Sequence, residues 1–247
     1  MKIVAVICEY NLFHNGHARM IQSIRDFAAS QGESCAVVAL MSGNYVQRGE
    51  MAVLHKYLRA EAAVRSGVDL VLELPYPWSG GAAPYFADAG VWLANALGCA
   101  DILAFGCRTA TLSSLNADAE NIASHAYHAA LEAARTSEPG VSEIRRQAQV
   151  YEVLYGRTLP SDANDLLGME YIRALRENGS KIKPLVIRRT GFETATETRH
   201  CYRRGMDSHH LIPEDLADFY CQNTPVGLSD LDPVIPAYFR LHMPQDY

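Results

Sequence analysis

The 247-residue chain contains no CxxC pair and no excess of positive charge. It also lacks any apolar run approaching the ~20 residues of a membrane span. Its six cysteines, Cys8, Cys35, Cys99, Cys107, Cys201 and Cys221, occur singly, and no histidine stands at zinc-ligand spacing from them. Neither a disulfide framework nor a metal site is therefore expected. Cys8, Cys35 and Cys99 lie in apolar runs and read as small hydrophobes. The apolar part of the N-terminus is too short for a signal peptide, so a reduced, cytoplasmic protein is the expectation. A net charge of −6 excludes a general nucleic-acid coat while leaving room for a local basic patch. Internal repeats and low-complexity tracts are absent.

What is present is an ordinary globular composition, 49% hydrophobic and 20% charged, sufficient for one sizeable core. Lys2–Cys8 is a β-branched run that reads as a buried strand. Met20, Ile21, Ile24 and Phe27 then recur at helical spacing from His17 to about Ala29. Further strands are expected at Cys35–Met41, Leu70–Leu74 and Asp101–Phe105, with helices at Lys56–Arg65 and Tyr85–Leu97 and Gly98 as a cap. Strand and helix thus alternate four times in about 105 residues, the signature of a doubly wound parallel α/β sheet. Residues 112–178 read as mainly helical, over Leu112–Arg135, Val141–Tyr155 and Leu166–Asn178. Ile182–Ile187 reads as a fifth strand. Ligands in such sheets bind beyond the carboxyl ends of the strands. The segments Glu9–His17, Ser42–Glu50 and Gly106–Arg108 should therefore converge on one crevice.

The segment Asn11-Leu12-Phe13-His14-Asn15-Gly16-His17 sits at the first strand-to-helix turn. Read blandly, it is a turn that holds two histidines. Its position suggests more, because a helix N-terminus offers N–H groups and a positive dipole end to phosphate. Gly16 would let the backbone approach a ligand. His14 and His17 could each donate to a phosphate oxygen, and their charge would stabilise a transition state at the α-phosphate. In Met41–Glu50, Arg48 could meet a carboxylate or phosphate. Lys56 and Arg59 could neutralise a triphosphate, or form a solvated helix face. Between residues 181 and 204, Lys181, Lys183, Arg188, Arg189, Arg199, Arg203 and Arg204 oppose only Glu193 and Glu197, a basic island in an acidic chain.

The HNGH pattern resembles the HxGH motif of the HIGH-type nucleotidyltransferase superfamily. The resemblance implies a Rossmann-like fold, ATP as a substrate, and transfer or activation through the adenylyl group without a covalent enzyme intermediate. The ordered runs EYNLFHNGH, MSGNYVQRGE, HKYLRAE, GVDLVLELP, FADAGVWLANALG and NDLLGMEY narrow the likeness further. Together they closely resemble the tRNA(Met) cytidine acetate ligase family. That resemblance implies activation of acetate to acetyl-adenylate and acetylation of N4 of the wobble cytidine of elongator tRNA(Met). It implies His14, His17 and Lys56 as catalytic residues. It assigns nucleotide contacts to Ile7, Cys8, Glu9, Tyr10, Asn11, Phe13, Asn15, Gly16, Met20, Gly106, Asn164, Arg188, Arg189, Thr196 and Arg199. Mg²⁺ would accompany the triphosphate.

Thr194–Arg199 is similar to the second superfamily motif, although Ala195 and Thr198 fit it loosely. Asn164 could alternatively serve as the N-cap of the helix after it. Leu12 stands where the family carries proline, which implies a less rigid loop, and His55 stands where an Asp or Ser is usual. Residues 1–205 are expected to form the ATP-binding domain, with 112–178 as its helical part. Residues 206–247 would begin a short or truncated C-terminal region. An adenylyltransferase acting on a phosphorylated coenzyme precursor is the alternative reading.

Overall fold

The structure is a computed structural model that describes residues 1–190 and 195–234. Thr194, the Glu193 of the basic island and everything from residue 235 onward lie outside the described residues. Strands β1 (Lys2–Cys8), β2 (Cys35–Ser42), β3 (Leu70–Leu74), β4 (Ile102–Cys107) and β5 (Lys183–Arg188) form one sheet in the order β3-β2-β1-β4-β5. Every neighbouring pair is parallel. The order reverses between β1 and β4, which makes their carboxyl ends the switch point of a doubly wound sheet.

Period-two alternation assigns each strand residue to one of two cores. Val4, Val6, Val37, Ala39, Met41 and Ala104 face the cluster that takes Ile21 and Ile24 of α1 (Asn15–Ser30) and Ala62 and Ala63 of α2 (Lys56–Arg65). Ala5, Ile7, Val38, Leu40, Leu103 and Phe105 face the other, built with α3 (Ala83–Ala96), α4 (Leu112–Ile122) and α7 (Ala163–Glu177). A small satellite core joins α5 (His125–Ser137) and α6 (Glu143–Tyr155) through Tyr127, Leu131, Val150 and Tyr151. Two shorter helices follow β5, α8 (Ala195–Arg203) and α9 (Ala217–Cys221).

Several boundaries shift by one to three residues from the sequence expectation, and three differences have a clear physical cause. The helix expected over Leu112–Arg135 is broken, because the Ser124 hydroxyl accepts from the Tyr127 N–H and starts α5 afresh. The helix expected from Leu166 begins at Ala163, and Asp162, not Asn164, caps it by accepting from the Asn164 and Asp165 N–H groups. Leu211, Ile212, Leu216, Phe219 and Tyr220, expected to open a separate region, are buried, and all but Leu211 belong to the core of β1 and α1. The Tyr220 hydroxyl bridges the Phe13 N–H and carbonyl, each at 3.1 Å. Residues to at least 220 therefore belong to the same packed unit. All six cysteines are free, and Cys99 is exposed rather than packed. No helix of the described residues is long and apolar enough to cross a membrane.

Candidate active site

A cavity of about 500 Å³ opens over the carboxyl ends of β1 and β4. The chain turns sharply as it leaves β1, with Tyr10 at φ 43°, a conformation that side-chain-bearing residues rarely adopt. Leu12 and Phe13 are fully buried behind the turn, so packing holds the loop where the resemblance had implied looseness. Arg59 secures it from below. Its guanidinium is 1% exposed and donates to the carbonyls of Glu9, Ser42, Gly43 and Leu54. Arg59 is thus neither a solvated residue nor a phosphate ligand. It binds the ends of β1 and β2 together, and burial lowers its pKa only to about 10, so it stays charged.

His14 is the N-cap of α1, and its Nδ1 accepts from the Gly16 N–H at 3.0 Å. His17 returns the arrangement, its Nδ1 accepting from the His14 N–H at 3.2 Å. The two rings stack, with centroids 3.7 Å apart and planes at 25°. Each Nδ1 is an acceptor, so each ring is a neutral imidazole whose proton sits on Nε2. Burial holds the His17 pKa well below the usual histidine range, and His14 and Arg189 push it the same way. The expected positive charge on the pair is therefore corrected: both rings act as neutral donors.

The first-turn amides are corrected too. The Asn15 N–H donates to Leu211 O at 2.9 Å and the Gly16 N–H to His14, so neither is open to phosphate. Gly16 is needed for a different reason than expected. A Cβ there would lie 2.8 Å from His14 Cε1, so glycine is what lets the imidazole fold back over its own helix.

Of the residues expected in the site, Ile7, Cys8, Glu9, Tyr10, Asn11, His14, Gly16, His17, Met20, Gly106, Asn164, Arg188, Arg189, Thr196 and Arg199 all line the cavity. Phe13 does not, being buried in the core. Asn15 does not, since its amide donates to His210 O at 3.1 Å. Lys56 does not line it either: its ammonium pairs with Glu73 at 2.6 Å, beyond the end of β2. Arg48, in a left-handed turn at φ 65°, is also outside.

Positive charge comes instead from Arg19, Arg108, Arg188, Arg189 and Arg199. Arg199 also donates to Asn11 O at 2.9 Å, tying α8 to the first loop. Arg108 is placed by Asp165, whose carboxylate accepts from the Arg108, Thr109 and Ala110 N–H groups and from the Thr109 hydroxyl. Burial alone would raise the Asp165 pKa, but these donors outweigh it and the net shift is downward. Gln47, Phe86, Phe105, Asp162, Leu167 and Tyr171 also line the cavity and were not singled out as site residues, although Gln47, Phe86, Leu167 and Tyr171 lie within the quoted runs. Leu167 and Tyr171 fall at i+3 and i+7 from Asn164, a spacing that marks one face of α7.

Mg²⁺ takes oxygen ligands and keeps several waters when it travels with a triphosphate. The described residues hold no cluster of three or more His, Cys, Asp or Glu side chains. Glu9 and Asp162 are the carboxylates on the cavity wall. They fit a phosphate-borne ion better than a protein-caged one.

A parallel sheet with a histidine-capped helix and clustered arginines at its switch point defines a Rossmann-type protein whose cavity offers hydrogen-bond donors and positive charge to an anion. Known proteins make the class specific: the HIGH Nucleotidyl Transferase family matches residues 1–208, and the chain belongs to it. It is 40% identical over 195 residues to a tRNA(Met) cytidine acetate ligase of Syntrophotalea carbinolica, covering 77% of this chain and 45% of that protein. A namesake from Alkaliphilus metalliredigens is 32% identical over 279 residues, covering 100% of this chain and 65% of that one. The crystal structure of Thermotoga maritima TmcAL bound with alpha-thio ATP superposes with a TM-score of 0.85 at 31% identity. That superposition covers 98% of this chain and 61% of the other. The chain thus spans roughly half to two thirds of the length of these relatives.

Proposed function

We propose that the chain activates acetate with ATP and passes the acetyl group to N4 of the wobble cytidine of elongator tRNA(Met). The observation that carries this reading is the neutral, stacked His14–His17 pair facing a cavity ringed by arginines. It is supported by the similarity to the tRNA(Met) cytidine acetate ligases and to an alpha-thio ATP complex.

Acetate is already an anion at neutral pH, so no residue need act as a general base for the first step. Its oxygen attacks the α-phosphorus while the bond from that phosphorus to the bridging oxygen breaks, and the electron pair leaves with pyrophosphate. In the second step the cytidine N4 attacks the acetyl carbonyl, loses a proton, and releases AMP. The chain's contribution to the first step is electrostatic and positional. His14 and His17 donate Nε2–H to the phosphates, Arg108, Arg188, Arg189 and Arg199 neutralise charge, and the N-terminus of α1 adds its dipole. Asn164 and Gly106 would border the nucleoside. Magnesium, arriving on the triphosphate, would withdraw charge from its oxygens with Glu9 or Asp162 nearby. Lys56 has no direct part in this scheme.

The test is acetate-dependent ATP–pyrophosphate exchange, followed by AMP release on addition of tRNA(Met). Exchange that requires acetate is the expected result. Failure of exchange with acetate and Mg²⁺ present would sink the proposal.

A further inference from the structure

The floor of the cavity contains two polar groups short of partners. Tyr10 and Tyr171 are each 2% exposed and both line the cavity; the Tyr171 hydroxyl has no hydrogen-bond partner among the described residues, and that of Tyr10 has only the Cys8 thiol beside it. Buried hydroxyls are nearly always paired, and an orphan inside a ligand cavity points to a partner supplied by the ligand. The two phenols come from different parts of the fold. Tyr10 ends the β1 turn and packs edge-on against His17, ring centroids 4.9 Å apart. Tyr171 lies on α7, about 10 Å along the helix from Asn164 at the mouth. Its ring packs against Phe105 at 5.5 Å. Phe86, Phe105 and Ile7 form the apolar wall beside Tyr171. Two glycines make this packing possible. A Cβ on Gly168 would meet Phe105 Cε2 at 2.9 Å, and one on Gly90 would meet Ile7 Cγ2 at 2.9 Å.

Hydroxyls short of acceptors on a cavity wall that also carries apolar side chains suit a ligand that is acceptor-only at one end and apolar at the other. A short-chain carboxylate has that form. The pocket adjoins His17, where the α-phosphorus would be held, so an acid bound there is close to the atom it must attack.

We propose that this floor is the acid subsite, in which the Tyr10 and Tyr171 hydroxyls donate to the carboxylate while Phe86, Phe105 and Ile7 enclose its methyl group. The assignment rests on the acyl-activation reading above and names its binding residues. Removing either hydroxyl should raise the KM for acetate by about tenfold to a hundredfold, the loss expected for a hydrogen bond to a charged group. The KM for ATP should stay within about twofold, since no phosphate contact changes. Thermal stability should hold or rise, because the hydroxyl removed has at most a weak thiol partner in the protein. Phe86→Leu should widen the wall and raise the use of propionate relative to acetate by about tenfold or more.

The experiment is ATP–pyrophosphate exchange on the full chain, with acetate and ATP varied separately, for the wild type, Tyr10→Phe, Tyr171→Phe and Phe86→Leu, each checked by thermal melting. A selective rise in acetate KM with an unlowered melting temperature supports the subsite. Wild-type exchange with an unmoved acetate KM in both tyrosine variants overturns the subsite alone. So does a parallel rise in both KM values. An unchanged propionate-to-acetate ratio in Phe86→Leu overturns the enclosing wall. Absence of acetate-dependent exchange in the wild type overturns the activation reading and the subsite with it.

Discussion

His14 and His17 hold each other in one tautomer: the Nδ1 of His17 accepts from the His14 backbone while the His14 ring stacks on it at 3.7 Å. The His17 pKa is held well below the usual histidine value, mainly by burial, whereas in the unfolded chain it returns to about 6.5. The unfolded state therefore binds the extra proton first as pH falls. Stability from this group is fully present above about pH 6.5 and declines below it. Replacing His17 by Gln, which keeps a donor but does not titrate, is expected to flatten the acid side of the stability profile. Urea unfolding between pH 5 and 8 checks this, and an equal slope in both proteins would refute it.

Gly16→Ala is expected to act on catalysis more than on folding. The new Cβ would sit 2.8 Å from His14 Cε1 and force the imidazole off its cap. A drop in kcat of about tenfold to a thousandfold, the range seen when one preorganised donor is lost, should be visible in initial rates. The far-ultraviolet dichroism should be unchanged.

Arg59 is a structural clamp despite its place beside the site. Arg59→Met would leave carbonyls of Glu9, Ser42, Gly43 and Leu54 without their buried donor. A loss of about 3–5 kcal/mol is expected, in line with removing one member of a buried charged network. Arg59→Lys should recover only part of it, since a single ammonium cannot reach carbonyls on both strand ends at once. Chemical denaturation of the three proteins decides the point.

Lys56 and Arg189 should separate cleanly in kinetics. Lys56 is engaged with Glu73 outside the cavity, so Lys56→Ala is expected to change kcat/KM for ATP by less than about threefold. Arg189 lines the cavity near His17, and Arg189→Ala should raise the KM for ATP by about tenfold or more. Similar effects of the two changes would return Lys56 to the catalytic set.

Much of the site was legible because its parts are local. The β-branched run before Glu9, the helical spacing after His17 and the two histidines three residues apart are short-range patterns, and the strand alternation that follows places them at a switch point. The run NDLLGMEY marked α7, and its i, i+3, i+7 face carried Asn164, Leu167 and Tyr171 into the cavity. These features need no knowledge of distant neighbours.

Other features depended on residues far apart in the chain. Lys56 and Arg59 share a turn of helix, yet one pairs with Glu73 at the surface while the other is sealed beneath Glu9. Asp162 took the cap that Asn164 could have held, leaving Asn164 on the cavity wall. Tyr220 reaches back across more than two hundred residues to the Phe13 backbone, closing a unit whose end composition alone had placed earlier. The sequence by itself determined the sheet and the place of the histidine pair at its first strand-to-helix turn, because periodicity and spacing are written into neighbouring residues. Only the tertiary structure decided which cations line the cavity, which proton each imidazole carries and where the Tyr171 hydroxyl stands unpaired. Charge state and exposure depend on burial by distant parts of the chain, which no local pattern records.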